Sequence, residues 1–469
     1  MRIAVITFFQ SQTNYGQLLQ AFALQQILMR MGHFPYIIRY GFHENLPIVL
    51  TMDVPQKDNG KLLGEHQWQE TEKGTAADRF FDKFREKHLN LSKNAYNNLR
   101  ELQIVSPIAD CYLVGSDQVW AQLLSYEGNR TFFLDFGPDD ILRIAYAPSF
   151  SLSAYPEELN DVLSQNLERF QAISVREKTG VDICRKAGKE AKWVVDPTML
   201  LSGDDYRLLG EESQTELLAN YMLVYHVNVE RKDFTCWNAF KQYNAEHGIR
   251  AVAVHANGEN QLDVEFLEDA KYLYPTIQDW IRLIDGSQYV LTTSFHGMIF
   301  AILLHKPFFV LLRPESMFAG NDRILTILSE LGLENFIVTD SMNFNEAMQR
   351  SICWEEVDKK LSVLRSSSIT FLEEALSNGK SFSDDAIMRI MTQHLTDRWY
   401  DYVSSKTREK QERMHLQQMI DAHEQQLSAI QDRNEYLNKK KKRYLRLVRL
   451  LAIFVLCLLT MLVIMRIHR

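Results

Sequence analysis

Along the first part of the chain, short apolar runs alternate with stretches whose apolar residues recur at helical spacing. Residues 3–9 (IAVITFF) read as a strand, and SQTNYG (11–16) is the polar loop after them. Leu18, Leu19, Phe22, Ala23, Ile27 and Leu28 then fall on one helical face, Gly32 is placed to stop that helix, and residues 36–40 (YIIRY) form a second strand. This predicts a βαβ unit opening an α/β domain. Residues 41–74 are polar and irregular and read as an insertion. A helix is expected over 78–88, with Phe80, Phe81 and Phe84 as a core-facing stripe. Further short strands are expected at the start of CYLVGSDQVW (111–120), at FFLDF (132–136), at RIAYA (143–147), at the start of AISVREK (172–178) and at WVVDP (193–197).

A second series of strands follows at 221–227, 250–254, Tyr289–Thr292 and 308–312. Between the last two, Thr293-Ser294 can cap a helix that begins near Phe295, and Lys306-Pro307 closes it. Asn321-Asp322-Arg323 is placed to cap a helix over 324–331 that ends at Gly332. The expected fold class is therefore α/β, with two Rossmann-like domains, 1–190 and 191–380, facing across a cleft. From 381 the character changes. A stalk over 381–443 is dense in Gln, Glu, Lys and Arg, and residues 407–442 hold neither Pro nor Gly, so a long helix is expected. Leu416, Ile420, His423, Leu427, Ile430, Asn434 and Leu437 alternate four and three apart, which fits either a homo-oligomeric coiled coil or a solvated single helix. KKKKR (439–443) then leads into a charge-free apolar run, 450–465. This reads as a single-pass C-terminal membrane anchor over 446–469, with everything before it on the cytoplasmic face of the membrane.

Charge and cysteine usage narrow the function classes. The formal net charge is −8, with no broad basic excess, so nucleic acid is not expected as a partner. The five cysteines are scattered and form no CxxC pair, which fits reduced thiols better than disulfides or a zinc site, and no metal-ligand cluster is evident. The first turn carries neither GxGxxG nor GxxxxGK[ST], so no dinucleotide fingerprint or P-loop is present.

What chemistry remains lies at strand ends. His296-Gly297 sits where a strand passes into a helix whose N-terminus offers free N–H groups and a positive dipole end to an anion. Gly297 would let a ligand come close to the backbone. The plainer alternative is a histidine that hydrogen-bonds inside an ordinary turn. Asp117 either caps the next helix or presents a carboxylate at the carboxyl end of a parallel strand. Arg176 and Glu177 follow another strand, where a surface ion pair by itself would mean little.

Taken together, ITFFQSQTNYGQLLQAFALQ, YLVGSDQVW, FFLDF with IAYAPSF, ISVREKTG, VVDPTML, TTSFHGMIFAILLHKPF and NDRILTIL, in that order, resemble the polysaccharide pyruvyl transferase family. That resemblance implies a GT-B-like arrangement of the two domains. It also implies transfer of a pyruvyl group from phosphoenolpyruvate, as co-substrate and with no other cofactor, onto a sugar hydroxyl pair of a cell-surface polysaccharide or its lipid-linked precursor. Arg176 of SVRE and His296 of SFHG match positions implicated in holding the donor, with Ser294 and Gly297 beside them. His296 and Asp117 are the implied catalytic pair, and Asn14, Tyr15 and Gly16 face the acceptor. Thr293 stands where many relatives have Asp, Pro148 where a small residue is usual, and Ala121 where Asn is common; these departures bear on the acceptor. Two other readings stay open: a GT-B-like glycosyltransferase using a nucleotide sugar, and a catalytically silent membrane-tethered scaffold.

Overall fold

A computed structural model describes residues 1–434 apart from 42–78, 122–129, 214, 217, 228, 230–232, 257–264, 314–319, 340–341 and 343. The expected insertion at 41–74 and the anchor at 446–469 therefore lie, but for Gly41, outside the described residues, as does the stalk beyond 434. Two sheets carry the fold. The first has seven strands in the order β3-β2-β1-β4-β5-β6-β7: β1 (Arg2–Ile6), β2 (Phe34–Tyr40), β3 (Leu91–Tyr96), β4 (Cys111–Val114), β5 (Leu142–Ala145), β6 (Ala172–Val175) and β7 (Lys192–Trp193). The second has five in the order β10-β9-β8-β11-β12: β8 (Tyr221–His226), β9 (Arg250–His255), β10 (Ala270–Tyr272), β11 (Tyr289–Thr292) and β12 (Phe308–Val310). Every pairing is parallel. Parallel strands covered on both faces need apolar side chains in both directions, and β1, β4, β8 and β11 are buried at every position. The two α/β sheets expected from the sequence are present.

Both sheets lie within one compact unit, Met1–Thr396, and Asp397–Arg469 forms a second. The join between the sheets is apolar. Helix α1 (Tyr15–Arg30) buries Leu18, Leu19, Leu24, Ile27 and Leu28 in the same core as the strands of the second sheet. Residues 381–391, expected to open the stalk, instead pack onto the first sheet. Buried Arg2 bonds Asp110 and the Phe382 carbonyl and pairs with Asp384, while Ile387 and Met391 enter the second apolar core. The expected heptad positions from 416 onward lie outside the described side chains.

Several local expectations are corrected. Residues 132–136 do not form a strand. Their carbonyls and those that follow bond the buried Arg143 guanidinium, which donates to Leu134, Phe136, Gly137 and Pro138 oxygens and so replaces a strand partner. The expected strand over 193–197 is only Lys192–Trp193, because Asp196 caps the turn Pro197–Met199 by accepting from the Thr198 N–H. Phe80 is exposed, and only Phe81 and Phe84 of the aromatic stripe are buried. Asn321 exchanges hydrogen bonds with the Arg313 backbone instead of capping the next helix. The single-pass anchor, and with it placement at a membrane face, is withdrawn: among the described residues no helix is long and apolar enough to cross a membrane. The run at 450–465 that suggested it is short of the roughly 20 residues a span needs.

Candidate active site at the strand ends

Strand order reverses direction between β1 and β4 in the first sheet and between β8 and β11 in the second. Loops leaving the carboxyl ends of strands at such a switch point diverge and leave a crevice, which is where open α/β sheets hold ligands. Ser116 and Asp117 follow β4, Arg176 and Glu177 follow β6, and Asp196 follows β7. Ser294 and His296 follow β11.

Ser116, Arg176 and His296 converge on Asp196. Its Oδ2 accepts from Arg176 Nη1 at 2.8 Å and from Ser116 Oγ at 3.2 Å, and stands 3.6 Å from His296 Nε2. Its Oδ1 accepts from the Thr198 N–H at 2.9 Å and the Thr198 hydroxyl at 2.7 Å. The side chain is wholly buried. Burial by itself would raise its pKa, but His296 and Arg176 hold the carboxyl well below the usual carboxylate range, so it is a fixed anion. Arg176 is held in turn. Its pKa is raised despite burial, chiefly by Asp196 and then Asp117, whose Oδ1 lies 3.5 Å from Arg176 Nη2. Beyond the Asp196 bond, its Nε and Nη2 have no hydrogen-bond partner.

His296 belongs to the helix Phe295–Leu303, which Ser294 caps by accepting from the Gly297 N–H. The imidazole lies directly against the first turn of α1: a Cβ on Gly16 would stand 2.1 Å from His296 Nδ1. Nε2 therefore faces Asp196 from the second sheet while the far side of the ring is wedged by the first.

The sequence-expected residues thus divide. Arg176, His296 and Asp117 are brought together. Gly16 joins them as the surface on which the imidazole rests, not as an acceptor contact. Ser294 is buried as a helix cap. Gly297 does not open the backbone to a ligand, since a Cβ there would meet Thr292 Oγ1 at 2.4 Å and Tyr225 Cδ1 at 2.8 Å; it allows close helix–strand packing. Asn14 caps α1 by accepting from the Gln17 N–H. Tyr15 is fully buried, stacked on Trp280 at 5.0 Å with its hydroxyl donating to the Pro275 carbonyl, so none of it is open to a sugar. Asp196 is a site residue that the sequence reading misses, although its place just past a strand end in VVDPTML is the same signal as that of Asp117. Glu177 is also buried, not half of a surface pair. Burial raises its pKa, and its Oε1 accepts from Ser149 Oγ and the N–H groups of Phe150 and Ser151, tying the loop after β5 to the site.

Two parallel α/β sheets thus bring a guanidinium, an imidazole and carboxylates together beyond the carboxyl ends of their strands. The chain belongs to the polysaccharide pyruvyl transferase family, whose model matches residues 14–314, and so to a family of transferases. No curated protein matches it. Among solved structures it is similar to the UDP-GlcNAc 2-epimerase of Methanocaldococcus jannaschii in complex with UDP-GlcNAc and UDP, at 13% identity and TM-score 0.44 over 84% of this chain and 99% of that one. The UDP-GlcNAc 2-epimerase of Neisseria meningitidis follows at 10% identity and TM-score 0.41, over 85% and 100%. The glycosyltransferase SnogD from Streptomyces nogalater gives 12% identity and TM-score 0.35, over 80% and 98%.

Proposed function

We propose that the protein moves the pyruvyl group of phosphoenolpyruvate onto two hydroxyls of one polysaccharide sugar, forming a ketal and releasing inorganic phosphate. The observation that carries this reading is the meeting of Arg176 and His296, from different sheets, on the single carboxylate of Asp196. In the reaction the methylene carbon of the donor gains a proton and one sugar hydroxyl adds to C2. The C2–O bond to phosphate then breaks, and the second hydroxyl closes the ketal. Two hydroxyl protons are released; one ends on the new methyl group and the other on the departing phosphate, so atoms and charge balance.

Each residue has a part that suits its chemistry. The Arg176 fork binds an anionic group of the donor. His296 supplies the proton to the methylene carbon, and Asp196, 3.6 Å from its Nε2, orients the ring. Asp117 takes a proton from an attacking hydroxyl. The test is donor choice: phosphoenolpyruvate should raise the melting temperature of the full chain, while nucleotide sugars should not. Stabilisation by a nucleotide sugar alone would overturn the reading.

A further inference from the structure

Beyond Arg176, the same corner of the site holds a second guanidinium that the reaction as drawn leaves idle. Arg323 lies in the first turn of the helix Asp322–Leu331. Its Cζ stands 5.6 Å from the centre of the Phe295 ring, and Arg176 Cζ stands 5.1 Å from the same ring. One aromatic ring thus meets two cations. It favours each of them but does nothing to cancel their mutual repulsion.

The two differ in their compensation. Arg176 has the Asp196 carboxylate at 2.8 Å. Among the described residues no carboxylate comes within ion-pair distance of Arg323, and its buried Nε has no hydrogen-bond partner. Its contacts are neutral: with the Gln118 amide oxygen turned toward it, Nη2 donates at 2.7 Å and that oxygen also accepts from Ser151 Oγ at 3.0 Å. Burial first, and Arg176 second, bring the Arg323 pKa down to about 9, outweighing the carboxylates of Asp117 and Glu177, which act on it from beyond ion-pair distance. Nor can a side chain fill the corner from Gly320, where a Cβ would stand 2.6 Å from Ser151 Oγ and 3.1 Å from Arg313 Nη2.

A partly buried cation next to another cation destabilises the empty protein and becomes favourable when an anion arrives. The proposed donor carries two anionic groups, a phosphate and a carboxylate, on one three-carbon frame, and two planar forks suit two such groups better than one. We propose that Arg323 is the second anion-binding residue of the donor site, taking whichever anionic group of the donor Arg176 does not. The identity of that ligand rests on the function proposed above; the class of ligand, a small anion, does not.

The experiment titrates phosphoenolpyruvate, and separately inorganic phosphate, into the full chain as wild type, Arg323→Met and Arg323→Lys, with the ligand-free melting temperature recorded for each. Arg323→Met should weaken phosphoenolpyruvate binding by about ten- to a hundredfold, as loss of a charged hydrogen-bond donor does. Arg323→Lys should recover part of that loss. Ligand-free Arg323→Met should melt no lower than wild type, because the cation it removes stands beside Arg176 with no ion-pair partner among the described residues. Unchanged affinity in Arg323→Met, or a lower ligand-free melting temperature that accounts for the loss, overturns the proposal. A wild type that takes up phosphate but not phosphoenolpyruvate, with uptake lost in Arg323→Met, keeps Arg323 as an anion ligand and sinks the donor reading. Uptake of neither by the wild type sinks both.

Discussion

Two buried imidazoles stand at the carboxyl ends of neighbouring strands of the second sheet, and they have opposite surroundings. His226 closes β8 among the rings of Phe234, Phe266, Tyr272 and His255, with no hydrogen-bond partner for Nδ1. Burial, helped by His255, pulls its pKa down to about 3, so it is a neutral core side chain. His296 follows β11, the strand paired with β8, and is nearly as buried, yet a carboxylate from the other sheet faces its Nε2. Residue type, burial and strand end are shared. What differs is the carboxylate that comes from the other sheet to face His296 and the first turn of α1 that lies against its ring.

Removing that charge should have the largest effect. Asp196→Asn leaves Arg176 buried without its counter-ion and His296 without the anion that orients it. Phosphate release from phosphoenolpyruvate in the presence of acceptor should fall by about a thousandfold, within the range usual for loss of acid–base function. Denaturant unfolding should show a loss of about 3–5 kcal/mol, as when one partner of a buried pair is removed. The wild type has a matching pH dependence. A carboxyl whose pKa is depressed on folding contributes stability in full above about pH 4, its unfolded value, and loses it as pH falls toward the folded value. Near-normal turnover in Asp196→Asn would end the case for a shared anionic hub.

His226 tests the other side of the comparison. Its folded pKa of about 3 lies below the unfolded value near 6.5, so the unfolded chain binds the extra proton between those limits. The stabilisation is complete above pH 6.5 and drains away as pH falls toward 3, by on the order of 4 kcal/mol over the whole window. His226→Phe cannot take up that proton, so its stability should fall less steeply from pH 6.5 to 4, while turnover at neutral pH stays unchanged. A parallel pair of stability curves would show that His226 does not titrate as its surroundings require.

Much of this was legible in the sequence, and what was not has a common cause. The strands β1, β4, β8 and β11 announce themselves because a strand buried on both faces must be apolar throughout. Gly115-Ser116-Asp117, Arg176 and His296 are visible as residues just past strands, and it is the resemblance of SVRE and SFHG to the family that gives Arg176 and His296 a role. Asp196 is given none, since its meaning depends on partners 20 residues before it and 100 residues after it in the chain, in a different sheet. The run 132–136 misleads for another reason. Its aromatic residues have strand propensity, yet they serve to pack Trp120, which stacks on Phe133 at 4.8 Å and donates to the Phe132 carbonyl. The glycines were legible as special positions but not for what they do. Gly297 makes room for Thr292 and Tyr225, and it is Gly16, on the opposite sheet, that makes room at the site.

Gly16→Ala gives the smallest expected effect and the finest test of the comparison, because it leaves every charged group in place. In the first turn of α1, alanine should help the helix by up to about 1 kcal/mol relative to glycine. Against that, the new methyl would lie 2.1 Å from His296 Nδ1 and 2.2 Å from Cγ, so either the imidazole or the end of α1 must shift. Overpacking of this kind costs about 1–3 kcal/mol. The two terms nearly offset, and the melting temperature should move by only a few degrees. Turnover should respond more. A ring displaced by even part of an ångström changes the Nε2 to Asp196 separation from its present 3.6 Å and the line of approach to a donor, so kcat should drop by about tenfold. The apparent KM for phosphoenolpyruvate should change little, because the guanidinium forks are untouched. If kcat holds at the wild-type value while the variant folds normally, the contact between α1 and the imidazole is packing alone, and the difference between His296 and His226 lies wholly in the Asp196 charge.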